Sequence, residues 1–383
     1  MTGEHSRPLR ILEVIEPSGG GSGRHFLDLS GALAQRGHLV SAIYSPVRAE
    51  ERFVDELKAL PLTSIDAVAM TRTPSPGDIG AVMAINRIIR REGPFDIIHG
   101  HSSKAGALTR LRLPGAHTPR VYTPHAFRTM DPTLGVRGRQ IFGGIESLFG
   151  RALSDAIICV SRDEYIHAID DLGIPADVLH VIINGATPPP TGRRAEIRAQ
   201  LGVRPDAFVF GFVGRLSQQK APERLVEAYS RIAADLPGAE LAMIGFGALE
   251  ADVRAQIAAT GFGERIHLTS DVPGPEAMQA FDALVMPSRY EAMSYVMLEA
   301  AASGLPMVLS DVGGAAIVLE DGRNGFMIAN SDDPTELADA MRKLATPDVY
   351  AQMKSAAVAN SHLYALETMV DQTERLYRAL APV

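Results

Sequence analysis

Cysteine is almost absent from this chain: one residue, Cys159, in 383. No disulfide can form within it, which fits a reducing compartment such as the cytosol. Cys159 lies in the apolar run Ala156-Ile-Ile-Cys-Val160 and reads as a buried strand residue rather than a nucleophile. Long apolar runs are also missing. No stretch of about 18 such residues is available to cross a bilayer, and the first residues lack the apolar core of a secretory signal. Positive charge is in deficit: the net charge is −8, which disfavours duplex nucleic acid as a partner. Basic and acidic side chains balance over residues 1–190, and the whole acidic excess lies beyond them. The first half therefore tolerates an anionic surface better than the second. The triplet Asp-x-Asp, the usual metal–diphosphate carboxylate pair, occurs nowhere. Without it, a diphosphate has to be neutralised by side-chain cations and helix dipoles.

Glycine and proline, by contrast, are plentiful, at 35 and 25 residues, as tight loops between short elements require. The length of 383 residues is large for one core and predicts two domains. Short apolar runs alternate with helical patterns throughout. Strands are expected at residues 9–16, 39–44, 97–99, 120–123 and 156–160, with helices at 79–91, 105–112 and 141–153. A Gly-rich turn over 18–23 leads into a further helix that ends near Ala34. The series resumes with strands at 208–213, 240–244, 266–268, 283–286 and 307–309, and helices at 224–234, 250–259 and 291–302; residues 335–380 are helical. Between the two series, Pro188-Pro-Pro190 fits neither a helix nor a central strand and marks a linker. The chain therefore divides into 1–188, 189–362 and a last helix, 363–383. In that helix Leu366, Met369, Val370, Thr373, Leu376, Tyr377 and Leu380 recur at steps of three and four. The expected fold is α/β: two Rossmann-like, doubly wound domains facing a central cleft, with ligands outside the carboxyl ends of the strands.

Four stretches carry chemistry. Gly19-Gly-Gly-Ser-Gly23 follows the first strand, where backbone N–H groups can approach an anion; a plain flexible turn is the alternative. Arg24 stands where a dinucleotide fingerprint needs glycine, and Ser45-Pro-Val-Arg48 offers no acid for a ribose, so a nicotinamide or flavin enzyme is disfavoured. Gly214-Arg215-Leu-Ser-Gln-Gln-Lys220 follows another strand. Its planar fork and mobile point charge suit a diphosphate, and surface charge is the plain alternative. Glu291 and Glu299 stand eight residues apart. A helix over 291–302 would put Glu291 in its first turn and separate the two by roughly 12 Å along the axis. Glycosidase acid/base pairs lie about 5–9.5 Å apart, so this pair better suits gripping two parts of one extended ligand. His99-x-His101 has no evident carboxylate or cysteine companion, and no metal site is expected there. Arg137, Arg139 and Arg151 flank the apolar run Ile141-Phe-Gly-Gly-Ile145, an ordinary amphipathic helix or one that touches a membrane.

Taken in order, these segments resemble glycosyltransferase family 4, retaining enzymes of the GT-B fold, and within it bacterial capsule and exopolysaccharide transferases. The resemblance spans nearly the whole chain. It runs through the first Gly-rich loop, Asp96-Ile-Ile-His-Gly-His-Ser-Ser-Lys104, Thr123-Pro-His-Ala-Phe127, Val160-Ser-Arg162 and Ile183-Asn-Gly185. It continues through Phe212-Val-Gly-Arg215 with Lys220, Gly245-Phe-Gly247, the Glu291…Glu299 stretch, Asp311-Val-Gly-Gly314 and Glu320-Asp-Gly-Arg-Asn-Gly325. It implies that Arg215 and Lys220 hold the donor diphosphate, Glu291 the donor sugar and Glu299 the nucleotide ribose. Backbone at Gly245, Met293, Ser294 and Tyr295 would complete the donor site, with Gly19, Gly20 and Gly21 closing over the sugar-phosphate. His125 would sit near the reacting centre (a capping or core histidine is the alternative), and His101, Ser102 and Lys104 would line the acceptor side or serve simple loop chemistry. Two departures stand out. Ala292 and Ser294 replace glycines common in the family, and Ala315-Ala-Ile317 lacks a common glutamate.

The implied activity is retaining transfer of a hexose or N-acetylhexosamine from a nucleotide sugar, foremost a UDP-sugar, to a growing glycan. A polyprenyl-diphosphate-linked oligosaccharide of bacterial polysaccharide biosynthesis is the expected acceptor. No metal or cofactor is implied. The leaving diphosphate itself would take the acceptor proton, with the protein supplying position and electrostatics. The expected location is the cytoplasm, with peripheral contact at the inner face of the plasma membrane. Two other classes fit the same architecture: a sugar-nucleotide epimerase, which would turn over without an acceptor, and a non-catalytic sugar-nucleotide-binding protein, suggested by the altered Glu291-Ala-Met-Ser294 stretch.

Overall fold

The structure is a computed structural model, described here for residues 7–112, 117–131, 134–188, 191–291 and 293–382. Pro189 and Pro190 of the expected linker and Ala292 of the glutamate stretch lie outside these residues. The chain forms two units: residues 1–184 with 366–383, and residues 185–365.

The first unit is built on a parallel sheet of seven strands. They are β1 (Arg10–Ile15), β2 (Leu39–Tyr44), β3 (Ser64–Ala67), β4 (Ile97–His101), β5 (Arg120–Thr123), β6 (Ala156–Cys159) and β7 (Leu179–Val181), in the order β3-β2-β1-β4-β5-β6-β7. Central strands of such a sheet are covered on both faces and read as near-continuous apolar runs, as β6 does, while β1 and β4 interrupt theirs with Glu13, His99 and His101. Leu12, Val14, Ile43 and Ile98 fill one face; Leu9, Ile11, Ile97, Val121 and Ile158 fill the other. Cys159 is fully buried in β6, and burial pushes its thiol pKa up, as suits an inert core residue. The last helix, Leu366–Leu380, belongs to this unit. Its Met369, Val370 and Tyr377 pack with Leu29 and Leu33 of the helix Gly20–Gln35. Arg36 adds ion pairs to Asp371 at 2.6 Å and Glu374 at 3.0 Å.

The second unit carries β8 (Phe208–Val213), β9 (Ala239–Ile244), β10 (Ile266–Thr269), β11 (Ala283–Met286), β12 (Met307–Ser310) and β13 (Gly325–Ile328), also parallel, in the order β10-β9-β8-β11-β12-β13. Phe210, Phe212 and Val285 from the sheet meet Leu225 and Tyr229 of the helix Pro222–Ile232. That helix opens on proline, whose fixed φ suits a first turn.

The core strands and helices fall where apolar periodicity predicts. The elements that periodicity misses include β3, β7, β13 and the helices Glu51–Ala59, Arg162–Asp170, Arg194–Leu201, Gly274–Ala277 and Ala315–Val318. All three strands are short and sit at sheet edges with partly exposed side chains, so their apolar signal is weak. One correction bears on the site. The helix expected over 291–302 begins at Tyr295, so Glu291 lies in the loop before it and not in its first turn. The separation argued from helix rise therefore does not apply.

Candidate functional site

In each sheet the strand order reverses once, between β1 and β4 and between β8 and β11, and ligands of doubly wound sheets bind at such switch points. In the first unit, β1 and β4 align so that Glu13 faces His99 and Ile15 faces His101; β5 adds Thr123 opposite His101. Residues two apart share a face. Glu13, His99, His101 and Thr123 therefore continue the face that Ile11, Ile97 and Val121 line deeper in the core. All four are buried, so their polar atoms need partners, and they find them in one another. His101 Nε2 lies 2.6 Å from Glu13 Oε2. Tyr377, from the last helix, donates its hydroxyl to Glu13 Oε1 at 2.9 Å. His99 meets Tyr377 Oη at 2.6 Å and Thr123 Oγ1 at 2.8 Å. His101 Nδ1 reaches His125 Nε2 at 3.2 Å, and the His25 ring packs edge-on against His125, centroids 4.6 Å apart.

Burial pushes the Glu13 pKa up, but His99 and His101 outweigh it and hold the carboxyl below the usual carboxylate range. Burial and the neighbouring His99 lower His101 to about 4. His25 and His125 are held well below the ordinary imidazole value, first by burial. At neutral pH the rings of His25, His101 and His125 are neutral beside the Glu13 carboxylate. The His25 ring forms no short hydrogen bond among the described residues, and Asn184 is the polar side chain that interacts with it. His25, His101 and His125 bring ring nitrogens within 4.8 Å of one another, as do Glu13, His99 and His101 with their ligand atoms. Either spacing admits an ion. The second set is already hydrogen-bonded without one.

The loop after β5 is held in an unusual shape. His125 and Ala126 have φ of 54° and 76°, the left-handed region that side chains normally avoid. Buried Glu164 clamps it, accepting the Ala126 and Val160 N–H groups at 2.7 Å each. Of the other expected residues, Ser102 starts the helix Ser102–Arg110 with φ 66°. Lys104 is buried and spent on Asp78, at 2.7 and 2.9 Å, and on the Thr73 carbonyl at 3.0 Å. Gly19 is buried against Glu50, whose Cδ stands 2.5 Å from where a Cβ would lie. Gly20 and Gly21 are exposed in the first turn of the helix Gly20–Gln35.

In the second unit, Lys220 forms an ion pair with Glu291, both side chains largely buried. Gln219 donates to the Tyr290 carbonyl at 3.0 Å, and Arg289 N–H donates to the Gln219 carbonyl at 2.8 Å, which ties the loop after β8 to the loop after β11. Arg215 is exposed and has no ion pair or hydrogen-bonded side-chain partner among the described residues. Gly245 and Gly247 let the loop after β9 run against the loop after β8: a Cβ would lie 1.9 Å from the Gly214 carbonyl oxygen and 2.3 Å from that of Leu216. Met293 and Ser294 lead into the helix Tyr295–Ala302, which has no side-chain cap and no acidic residue in its first turn. Its leading N–H groups present the positive end of the dipole, and Glu299 stands in its second turn.

Sequence reasoning did not find Glu13, His25 or Tyr377. It judged His99-x-His101 to lack a carboxylate companion, and the structure supplies one in Glu13. The signal was an acid inside an apolar strand, which pairing across β1 and β4 turns into a site.

Two family descriptions match this chain: Glycosyltransferase Family 4 over residues 19–188 and Glycosyl transferases group 1 over residues 207–346. The chain belongs to glycosyltransferase family 4. Among curated relatives, the D-inositol 3-phosphate glycosyltransferase of Nocardioides sp. is 27% identical over 94% of this chain and 85% of that one. The UDP-Gal:alpha-D-GlcNAc-diphosphoundecaprenol alpha-1,3-galactosyltransferase of Escherichia coli is 27% identical over 67% of this chain and 67% of its own. Anabaena Alr3699/HepE, solved with UDP and glucose, superposes with a TM-score of 0.74 at 20% identity, over 97% of this chain and 100% of that one. WaaG, a glycosyltransferase involved in lipopolysaccharide biosynthesis, superposes with a TM-score of 0.68 at 18% identity, over 96% and 99%. The glycosyltransferase fold is thus GT-B, with two parallel-sheet Rossmann-like domains.

Proposed function

We propose that this glycosyltransferase moves a hexose or N-acetylhexosamine, with retention, from a UDP-sugar to a polyprenyl-diphosphate-linked or other growing glycan. The observation that carries the reading is the set Arg215, Lys220 and Glu291 at the switch point of the second sheet, beside the uncapped start of the helix Tyr295–Ala302. A diphosphate entering there finds an exposed guanidinium, an ammonium it can draw from Glu291, and helix N–H groups. Release of Glu291 leaves that carboxylate for sugar hydroxyls, with Glu299 for the ribose. Met293, Ser294, Tyr295 and Gly245 supply backbone to the same donor, and Gly19, Gly20 and Gly21 belong to the sugar-phosphate side. In the first unit His125, with Ser102, faces the acceptor, and His101 stands buried behind it. No resident cofactor or metal takes part: developing negative charge is met by fixed cations and dipoles.

The lipid-linked acceptor has support from the relative in Escherichia coli, whose name specifies one, and from the helix Val136–Ala152. Along it Arg137, Ile141, Gly144, Leu148 and Arg151 are all exposed at steps of three and four, a mixed basic and apolar stripe suited to an anionic lipid surface. No helix among the described residues is long and apolar enough to cross a membrane. Cosedimentation with anionic vesicles tests the surface contact, and no binding above neutral vesicles would remove it.

The donor assignment is tested by thermal shift with UDP-, GDP- and ADP-sugars, with Lys220→Ala in parallel. Occupancy at 100 times Kd adds about 2.7 kcal/mol of stability. The expected result is a shift with UDP-sugars that Lys220→Ala weakens. No shift with any donor would overturn the site.

A further inference from the structure

Counting protons around Glu13 determines which nitrogen of His125 is bare. A carboxylate can only accept, so Tyr377 and His101 must both donate to it, His101 through Nε2 at 2.6 Å. His99 completes the shell by donating from Nδ1 to Tyr377 Oη, whose own proton is spent on Glu13, with Nε2 2.8 Å from Thr123 Oγ1. His101 is buried and neutral at pH 7 and has one ring proton, now spent on Glu13. Its Nδ1 is a lone pair. The 3.2 Å contact to His125 Nε2 therefore needs a proton from His125, which is neutral for the same reason. That proton sits on Nε2 and leaves Nδ1 of His125 bare. No described residue bonds to that Nδ1. The ring is fixed from the other side as well, by the left-handed turn that Glu164 clamps.

We infer that Glu13 is a positioning residue: through His101 it fixes His125 as the Nε2–H tautomer, so that His125 presents a permanent hydrogen-bond acceptor, Nδ1, to a saccharide hydroxyl. The saccharide half of this statement rests on the proposed function; the tautomer half does not. Tyr377 extends the same device to the last helix, whose docking supplies one of the donors that keep Glu13 charged and in place. A hydroxyl donating to Nδ1 has its oxygen lone pairs turned outward, the orientation a nucleophilic acceptor needs.

The test is a two-bond 1H–15N correlation spectrum of protein labelled with 15N-histidine, with the His125 pattern identified by its loss in His125→Gln. The expected wild-type result is the Nε2–H tautomer for both His101 and His125. Glu13→Gln puts an amide donor against His101, so both rings should move to Nδ1–H or to a mixture. A wild-type His125 that carries its proton on Nδ1 overturns the proposal. So does a His125 pattern that Glu13→Gln leaves unchanged. The wild-type spectrum decides the tautomer even where Glu13→Gln fails to fold. For transfer from a UDP-sugar, Glu13→Gln should lower kcat by about tenfold or more while the donor KM stays within about twofold; loss through donor KM alone overturns the saccharide half. Absence of any turnover by the wild type would instead remove the proposed function and leave the tautomer assignment standing.

Discussion

The two units solve one problem in opposite ways. Each places a glutamate at the switch point of a parallel sheet. In the first, Glu13 is fully buried under two imidazoles and a tyrosine hydroxyl, and every contact exists before any ligand arrives. In the second, Glu291 sits on a loop and borrows the charge of Lys220, a partner that a diphosphate can take away. The difference follows from placement. A carboxylate inside a strand cannot reach water, so the fold must surround it with donors. A carboxylate on a loop can exchange partners at small cost. The first arrangement suits fixing a direction in space, the second suits receiving a highly charged group.

The sharpest way to break the comparison is at the exchangeable pair. Lys220→Ala should lower kcat/KM by about 10²–10³, the range for loss of one preorganised charge-stabilising donor. The fold should hold, because Glu291 sits on a loop and keeps Gln219 within 3.5 Å. An unchanged kcat/KM with UDP-sugars would place the donor diphosphate elsewhere.

Glu13→Ala should have the reverse signature. It orphans His101 and Tyr377 in a buried site, at about 1–3 kcal/mol for each unsatisfied donor. Denaturant unfolding should show this as a lower midpoint confined to the first unit. An equal loss of stability from Glu291→Ala would erase the distinction between the two glutamates.

Acid sharpens it further. His101 has a folded pKa of about 4 against an ordinary 6.5, and His25 and His125 are depressed too. The unfolded chain then binds more protons below pH 6.5, so these groups contribute stability above that pH and lose it progressively as pH falls toward 4. Glu164 has the opposite sign. Burial raises its pKa from 4.5 to about 7, so its contribution is complete below about 4.5 and is lost as pH rises through 7. Glu164→Gln should therefore steepen the acid-side loss between pH 4.5 and 6.5. Thermal melts from pH 7 to 4 should show the first unit falling before the second. Parallel decline of both would contradict the neutral-histidine assignment.

Legibility in the sequence followed the same divide. The second unit's loop chemistry lies in contiguous stretches, so Arg215, Lys220 and Glu291 could be found by reading along the chain. The helix start was misplaced because Ala292-Met-Ser294 favours helix well enough by propensity, while Ser294 is extended (φ −88°, ψ 121°) and the helix begins only after it. The first unit's site is assembled across strands: Glu13 to His99 is a register, and Tyr377 to Glu13 spans 364 positions. Tyr377 was visible only as one member of an apolar stripe, and its hydroxyl partner could not be read from periodicity. Lys104, read beside His101 on a shared motif, turned out to be anchored to Asp78 in the helix Gly77–Glu92.

The smallest expected effect compares two alanines in the same unusual backbone state. Ala126, in the His125 turn, has φ 76°, and Ala221, before the helix Pro222–Ile232, has φ 47°. Left-handed backbone costs a side-chain-bearing residue about 1–2 kcal/mol, and glycine gives back about 0.4–1 kcal/mol through unfolded-chain entropy. Ala126 is only half-buried, so Ala126→Gly should stabilise by about 0.5–1 kcal/mol. Ala221 is fully buried, and removal of its methyl forfeits about 0.8 kcal/mol of burial, so Ala221→Gly should be near neutral. Melting the two variants side by side checks the pair. A destabilised Ala126→Gly would mean that the methyl, and not only the Glu164 clamp, holds the turn that carries His125. The tautomer device of the first unit would then depend on packing at position 126 as well as on hydrogen bonds.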